Sequence, residues 1–216
     1  MLASYTFNST YKPHTQGCQQ FPSLRLLEGG KFHPQQYVPV LVSEYNEIRL
    51  KYFQWGLVSP WTKASQKDEG KYFAPQSQLF HHPAFQLPIR RKRCLIPADG
   101  YYLENNQQGI AKELKVSLQE NETFCFAGIY DEWKSPDGTV LNSFSIVTVP
   151  SSRALASVNL QMPLILPSNL EGLWLNPYTS LNKIHKIVQL PPRSGFHVHQ
   201  VQELRLAERE TWEYAA

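Results

Sequence analysis

Sixteen prolines are scattered along 216 residues, and no other feature limits this chain's folding so strongly. Each removes a backbone donor and is excluded from helix interiors, so the chain must be built from short elements. Between the prolines, apolar residues alternate. Residues 37–42 (YVPVLV) and 46–58 (NEIRLKYFQWGLV) read as two strands joined by a polar turn at Ser43 to Asn46. In the second, Ile48, Leu50, Tyr52 and Gln54 alternate with Arg49, Lys51 and Phe53. Residues 62–72 are polar and unpatterned, as in a surface loop, and 83–93 (PAFQLPIRRKR) predict a short helix weakened by Pro88.

CLIPADGYYL reads as a buried strand broken by Pro97 and turned at Asp99-Gly100. A polar loop over 104–112 and a strand over 113–119 follow. FCFAGIYDEW and VLNSFSIVTV predict a hairpin around Ser135-Pro136-Asp137-Gly138, the clearest turn signal in the chain. A short helix is expected from Ser151 or Ser152, either of which can cap it. Residues 162–166 (MPLIL) predict another buried strand, Pro167-Ser168 opens a helix through Trp174, and 197–203 alternate again. The economical architecture is one α+β domain over 1–216, dominated by antiparallel strands.

Composition narrows the function classes. A content of 42% hydrophobic and 12% aromatic residues excludes a disordered or coiled-coil chain. The formal charge of +3 is too small to mark a nucleic-acid binder unless cations cluster. Cys18, Cys94 and Cys125 are widely spaced with no CxxC, which indicates neither a disulfide framework nor a thiolate zinc site. No stretch reaches the roughly 18 apolar residues that span a bilayer, and the N-terminus has no signal-peptide pattern. A cytoplasmic protein with no membrane partner is expected.

Four local patterns invite chemistry. His197 and His199 would share a strand face, as metal ligands do, but no third ligand lies at suitable spacing, so no metal is expected. His81-His82-Pro83 offers an imidazole without a nucleophile to serve, and a capping role is the stronger expectation. Arg90, Arg91, Lys92 and Arg93 form a block that can pair with phosphates or complement a helix end. Trp55 and Trp61, with Pro34 and Pro39 nearby, place rigid groups at strand ends, where they can stack on unpaired bases or pack in the core.

Taken together, HPQQYVPVLV, FQWGLVSPW, HPAFQLPIRRKRCLIPADGYY, FAGIYDEW, SFSIVT and MPLIL resemble, in order and spacing, the SRAP family of SOS-response-associated peptidases, also called abasic-site processing proteins. The resemblance runs from about residue 2 to 176, with 177–216 expected to extend the same domain. It implies a mostly antiparallel, barrel-like β architecture with short flanking helices. It also implies an activity in which a cysteine at position 2 captures the aldehyde of an abasic site in single-stranded DNA as a thiazolidine. An Asn in N-A-R-S-E-T, a Glu in G-F-Y-E-W and a His before R-M-P assist by moving protons. No cofactor is implied.

Position by position, the chain departs from that pattern where chemistry is expected. Leu2 stands at the cysteine, Ala74 at the Asn, Leu103 at the Glu and Asn159 at the His. Glu104 follows Leu103 but would face the other side of a strand. The arginines that the resemblance assigns to DNA are held by Ser4, Gln76, Gln86 and Gln161. What matches is scaffold (Gly56, Leu57, Pro60, Cys94, Pro97, Gly100, Gly128, Trp133, Met162 and Pro163 among it) and the basic run. The expectation is therefore a pseudoenzyme associated with abasic sites or single-stranded DNA damage, its DNA contacts reduced to Trp55, Trp61, Pro34, Arg90, Arg91 and Lys92. Two alternatives stay open: an enzyme whose Met1 amine forms a Schiff base with the aldehyde and promotes β-elimination, or a protein-interaction module that binds no DNA.

Overall fold

The structure, a computed structural model, describes residues 2–8, 10–11, 24–25, 29–45, 47–64, 70–107, 110–118, 122–153, 155–192 and 195–205. Cys18 and Met1 lie outside them. In chain order the elements begin with β1 (Leu2–Phe7), β2 (Thr10–Tyr11), β3 (Leu24–Arg25), β4 (Gly30–Phe32), β5 (Tyr37–Glu44), β6 (Glu47–Trp55) and β7 (Phe73–Pro75). Two short helices, α1 (Pro83–Gln86) and α2 (Pro88–Arg91), lead into β8 (Arg93–Ala98), β9 (Gly100–Gln107), β10 (Ile110–Leu118), β11 (Phe124–Lys134) and β12 (Val140–Pro150). The chain continues through β13 (Gln161–Pro163), β14 (Ile165–Leu166), α3 (Glu171–Leu175), α4 (Leu181–Val188) and β15 (Phe196–Arg205).

Strands β12, β6, β5, β8 and β11 pair in that order, and β11 pairs back onto β12, closing a five-stranded barrel. Closure removes the exposed edges of these strands. All its pairings are antiparallel except β6 with β12, which run parallel at Gln54↔Ser143 and Trp55↔Phe144. A second sheet, ordered β15-β10-β9-β1-β4, packs against the first through the shared core of Tyr5, Trp55, Tyr101 and Phe126. The family resemblance thus foresaw the α+β class and barrel-like sheet correctly.

Several expectations are corrected locally. Pro97 does not break β8: it pairs with Cys125, while β5 meets β8 only at Cys94 and Leu95, so the missing donor falls beyond that ladder. Pro88 splits 83–93 into two four-residue helices, because proline is tolerated only in a helix's first turn. Within the polar stretch expected as a loop, 104–107 belong to β9 and 110–112 to β10, paired from Gln107↔Ile110 onward. Among the described residues, no helix starts at Ser151 or Ser152. Residues 155–158 form hydrogen-bonded turns instead, because the chain must re-enter a strand at Gln161. The segment 162–166 divides at Leu164, whose N–H donates to Val147 O and whose carbonyl accepts from Ala127 N, so the chain steps there from β12 to β11.

Helix α4 was not foreseen, although Ile184, Ile187 and Val188 recur at helical spacing and are its buried face. Among the described residues, no helix is long and apolar enough to cross a membrane.

Candidate functional site

A pocket of about 170 Å³ opens where the start of β1, β7, the end of β12 and β13 meet. Leu2, Phe73, Pro75, Met162 and Pro163 supply apolar walls, and Thr148, Asn159 and Gln161 supply the polar groups. The placement follows from pairing. Leu2 opposes Leu103 in the β1–β9 ladder, Pro75 and Pro163 both pair with Thr148 of β12, and Gln161 pairs with Pro150.

The four positions that the resemblance assigns to catalysis therefore converge. Leu2 and Asn159 line the pocket, and Leu103 is buried directly beside Leu2. Ala74 is buried between the two lining residues Phe73 and Pro75. Among the described residues, none of the lining carries a nucleophilic thiol, a carboxyl, an imidazole or a cation. Phe73, Pro75 and Thr148 escaped the sequence reading. The first two flank Ala74, and Thr148 lies at the barrel's parallel seam with β7, a pairing that no local pattern announces.

The positions expected to hold arginine are dispersed in role. Gln161 lines the pocket, whereas the Gln76 amide donates from Nε2 to Val188 O at 3.2 Å and ties the end of β7 to α4. Gln86 is exposed on α1, and Ser4 is fully buried.

Trp55 corrects an expectation. It has no exposed surface, packs against Tyr5, Phe73 and Phe144, and donates its indole N–H to Tyr72 O at 3.0 Å, so it cannot offer a face to a base. Trp61, 56% exposed, keeps that capacity, and Pro34 is half-buried in the turn before β5.

The basic run is three structures rather than one patch. Arg93 is buried, and its guanidinium donates to the carbonyls of Trp174, Ile89, Arg90 and Asn176 at 2.5–2.7 Å. Burial lowers its pKa to about 10, which still leaves it charged at neutral pH. Lys92 pairs with the buried Asp131 at 2.5 Å. Only Arg90 and Arg91, on the last turn of α2, remain exposed without such a partner, and neither lines the pocket.

His82 caps α1, its Nδ1 accepting from Ala84 N at 3.1 Å. His197 and His199 lie exposed on β15 with parallel rings 6.1 Å apart. Among the described residues, no group of three or more His, Cys, Asp or Glu is arranged to hold a metal.

Comparison with known proteins agrees with this architecture. A model of the SOS response associated peptidase (SRAP) family matches residues 19–204. The abasic site processing protein YoqW of Bacillus subtilis is 28% identical over 194 residues, covering 86% of this chain and 87% of YoqW. The abasic site processing protein HMCES of Mus musculus is 26% identical over 171 residues, covering 62% of this chain and 48% of HMCES. A crystal structure of a protein from Bacteroides thetaiotaomicron shares the fold with a TM-score of 0.72 at 24% identity, over 80% of this chain and 77% of that one.

Proposed function

Because the chain belongs to the SRAP family, we propose that it associates with single-stranded DNA in the handling of abasic sites and does not form the thiol crosslink. The observation that carries this reading is the pocket. Leu2 and Asn159 line it and Leu103 and Ala74 are buried beside it; if these are the positions of nucleophile, acid and base, none of them attacks an aldehyde or moves a proton near neutral pH. The relatives named for abasic site processing support the DNA association.

Binding without arginines in the pocket leaves the strand to be held by Trp61, Pro34, Arg90 and Arg91. A neutral carboxamide at Gln161 can hydrogen-bond a phosphate but releases no counterion, so affinity is modest and its salt dependence shallow.

Two measurements test this. Incubation with abasic single-stranded DNA is expected to give no heat-stable adduct on a denaturing gel, with or without borohydride; a stable crosslink overturns the loss of thiol chemistry, and an adduct seen only after borohydride identifies an amine-based enzyme. Binding of a labelled single strand is expected at low salt. Replacing Arg90 and Arg91 together should reduce the magnitude of the log–log salt slope by about 1.4, two phosphates' worth. Absence of binding at low salt would favour a protein-interaction module instead.

A further inference from the structure

The pocket's lining also constrains what can enter it. Its walls are apolar side chains, and its polar groups, the Asn159 and Gln161 carboxamides and the Thr148 hydroxyl, are all neutral and all able both to donate and to accept. A phosphate entering it would find no cation among the described lining residues and would lose its water against Leu2 and Met162. A cation would find no carboxylate. A sugar without its base would satisfy the amides but leave the apolar walls uncovered. At about 170 Å³ the space is smaller than a site for a drug-sized ligand, so a single ring system is what fits. Asn159 is half-buried and Gln161 exposed, which puts both amides at the mouth, where an entering group meets them.

We propose that this pocket receives an unpaired nucleobase, adenine by preference. A purine is neutral, flat and partly apolar, and its hydrogen-bonding edge reaches the mouth when its face lies against the wall. Carboxamides favour adenine because one amide donates to N7 and accepts from the N6 amine at once. The inference rests on the reading of this protein as a single-stranded DNA binder and deepens it: the pocket holds an intact nucleotide of the strand, not the abasic position itself. A free nucleoside presents the same chemistry, so both sources are tested.

The chain has two methionines, Met1 and Met162, and Met162 lines the pocket. Isotope-labelled methionine methyl groups therefore give a two-line spectrum in which Met162 reports occupancy. A short deoxyadenosine strand is expected to move the Met162 methyl upfield by the ring current of the bound base, and a strand of equal length built from an abasic analogue to leave it in place. By fluorescence anisotropy the base-bearing strand should bind about tenfold more tightly than the analogue strand. Asn159→Leu and Gln161→Leu should each shrink that ratio.

Equal affinity for the two strands with no upfield shift overturns the base pocket while leaving the DNA-binding reading intact. A thymidine strand that shifts Met162 as strongly as the deoxyadenosine strand overturns the adenine preference. If no strand binds at low salt, the DNA-binding reading fails by itself, and deoxyadenosine titrated alone decides the pocket: an upfield Met162 shift upholds it for free nucleosides, and none overturns it.

Discussion

The surroundings of Arg93 and the pocket at Leu2 treat polarity in opposite ways. Arg93 is a buried charge with four carbonyl acceptors, and next to it the Trp174 indole donates to Cys94 O and Gly128 O. Among the described residues the pocket's lining carries no charge, and of its polar residues Gln161 is exposed, Asn159 half-buried and Thr148 buried. None of Arg93's partners lines the pocket, although Ile89 and Trp174 on one side and Leu2 and Met162 on the other belong to one core. Residues that match the family serve both: Arg93, Cys94 and Gly128 belong to the first region, and Met162 and Pro163 line the second.

The largest effect is expected at Arg93. Arg93→Met preserves apolar length but strands four carbonyls in the interior, and stability should fall by about 3–5 kcal/mol in urea denaturation. A loss below about 1 kcal/mol would mean that water satisfies those carbonyls and that the contrast between the regions is weaker than the hydrogen bonds suggest.

Gly128→Ala tests the same region by volume. A Cβ there would meet Ile96 Cδ1 at 2.4 Å and Cys94 Sγ at 2.7 Å, both in fully buried residues, so overpacking should cost about 1–3 kcal/mol.

These two sites show why the sequence was legible in one region and opaque in the other. Strand alternation, the Pro-Asp-Gly turn and the motif spacing are local, and they located β5, β6, β11 and β12 closely. The four substituted positions rest on the resemblance alone, since each lies outside the matched segments. Their convergence was not legible, since it depends on the parallel seam of β7 with β12 and on Leu2 meeting Leu103 across about a hundred residues of chain. The role of Arg93 was hidden for the same reason: a fourth cation after Arg90, Arg91 and Lys92 looks like surface until α3 is packed over it and its end carbonyls are in place. Trp55 misled in the other direction, since a strand's alternation does not say whether a ladder closes around it.

A smaller effect is expected at His82, which belongs to neither region and calibrates both. Its Nδ1 accepts the Ala84 amide, and burial, with Lys71 nearby, lowers its pKa. For a base depressed in the folded state, the unfolded chain takes the proton first. The stabilisation is thus full above about pH 6.5 and is lost as pH falls through the folded pKa. His82→Ala should cost about 0.5–1 kcal/mol above neutrality and flatten the fall in melting temperature under mild acid. An unchanged acid limb would place that titration elsewhere.

The smallest expected change is the sharpest test of the comparison. If the pocket contributes nothing to folding, Asn159→Leu and Gln161→Leu should leave stability within about 0.5 kcal/mol of the parent, since neither side chain is enclosed in the core. The prediction is asymmetric. Leucine at Asn159 adds apolar area to a wall already formed by Leu2 and Met162, so a slight gain is compatible with the geometry. A loss approaching that of Arg93→Met is not. It would mean that the turn over 155–158, which re-enters the sheet through Asn159 and Gln161, depends on those carboxamides. The neutral groups at the mouth would then be structural, and their suitability for a base would be a by-product of how β13 joins the barrel. Urea midpoints of the two variants beside Arg93→Met, measured under one set of conditions, separate these cases.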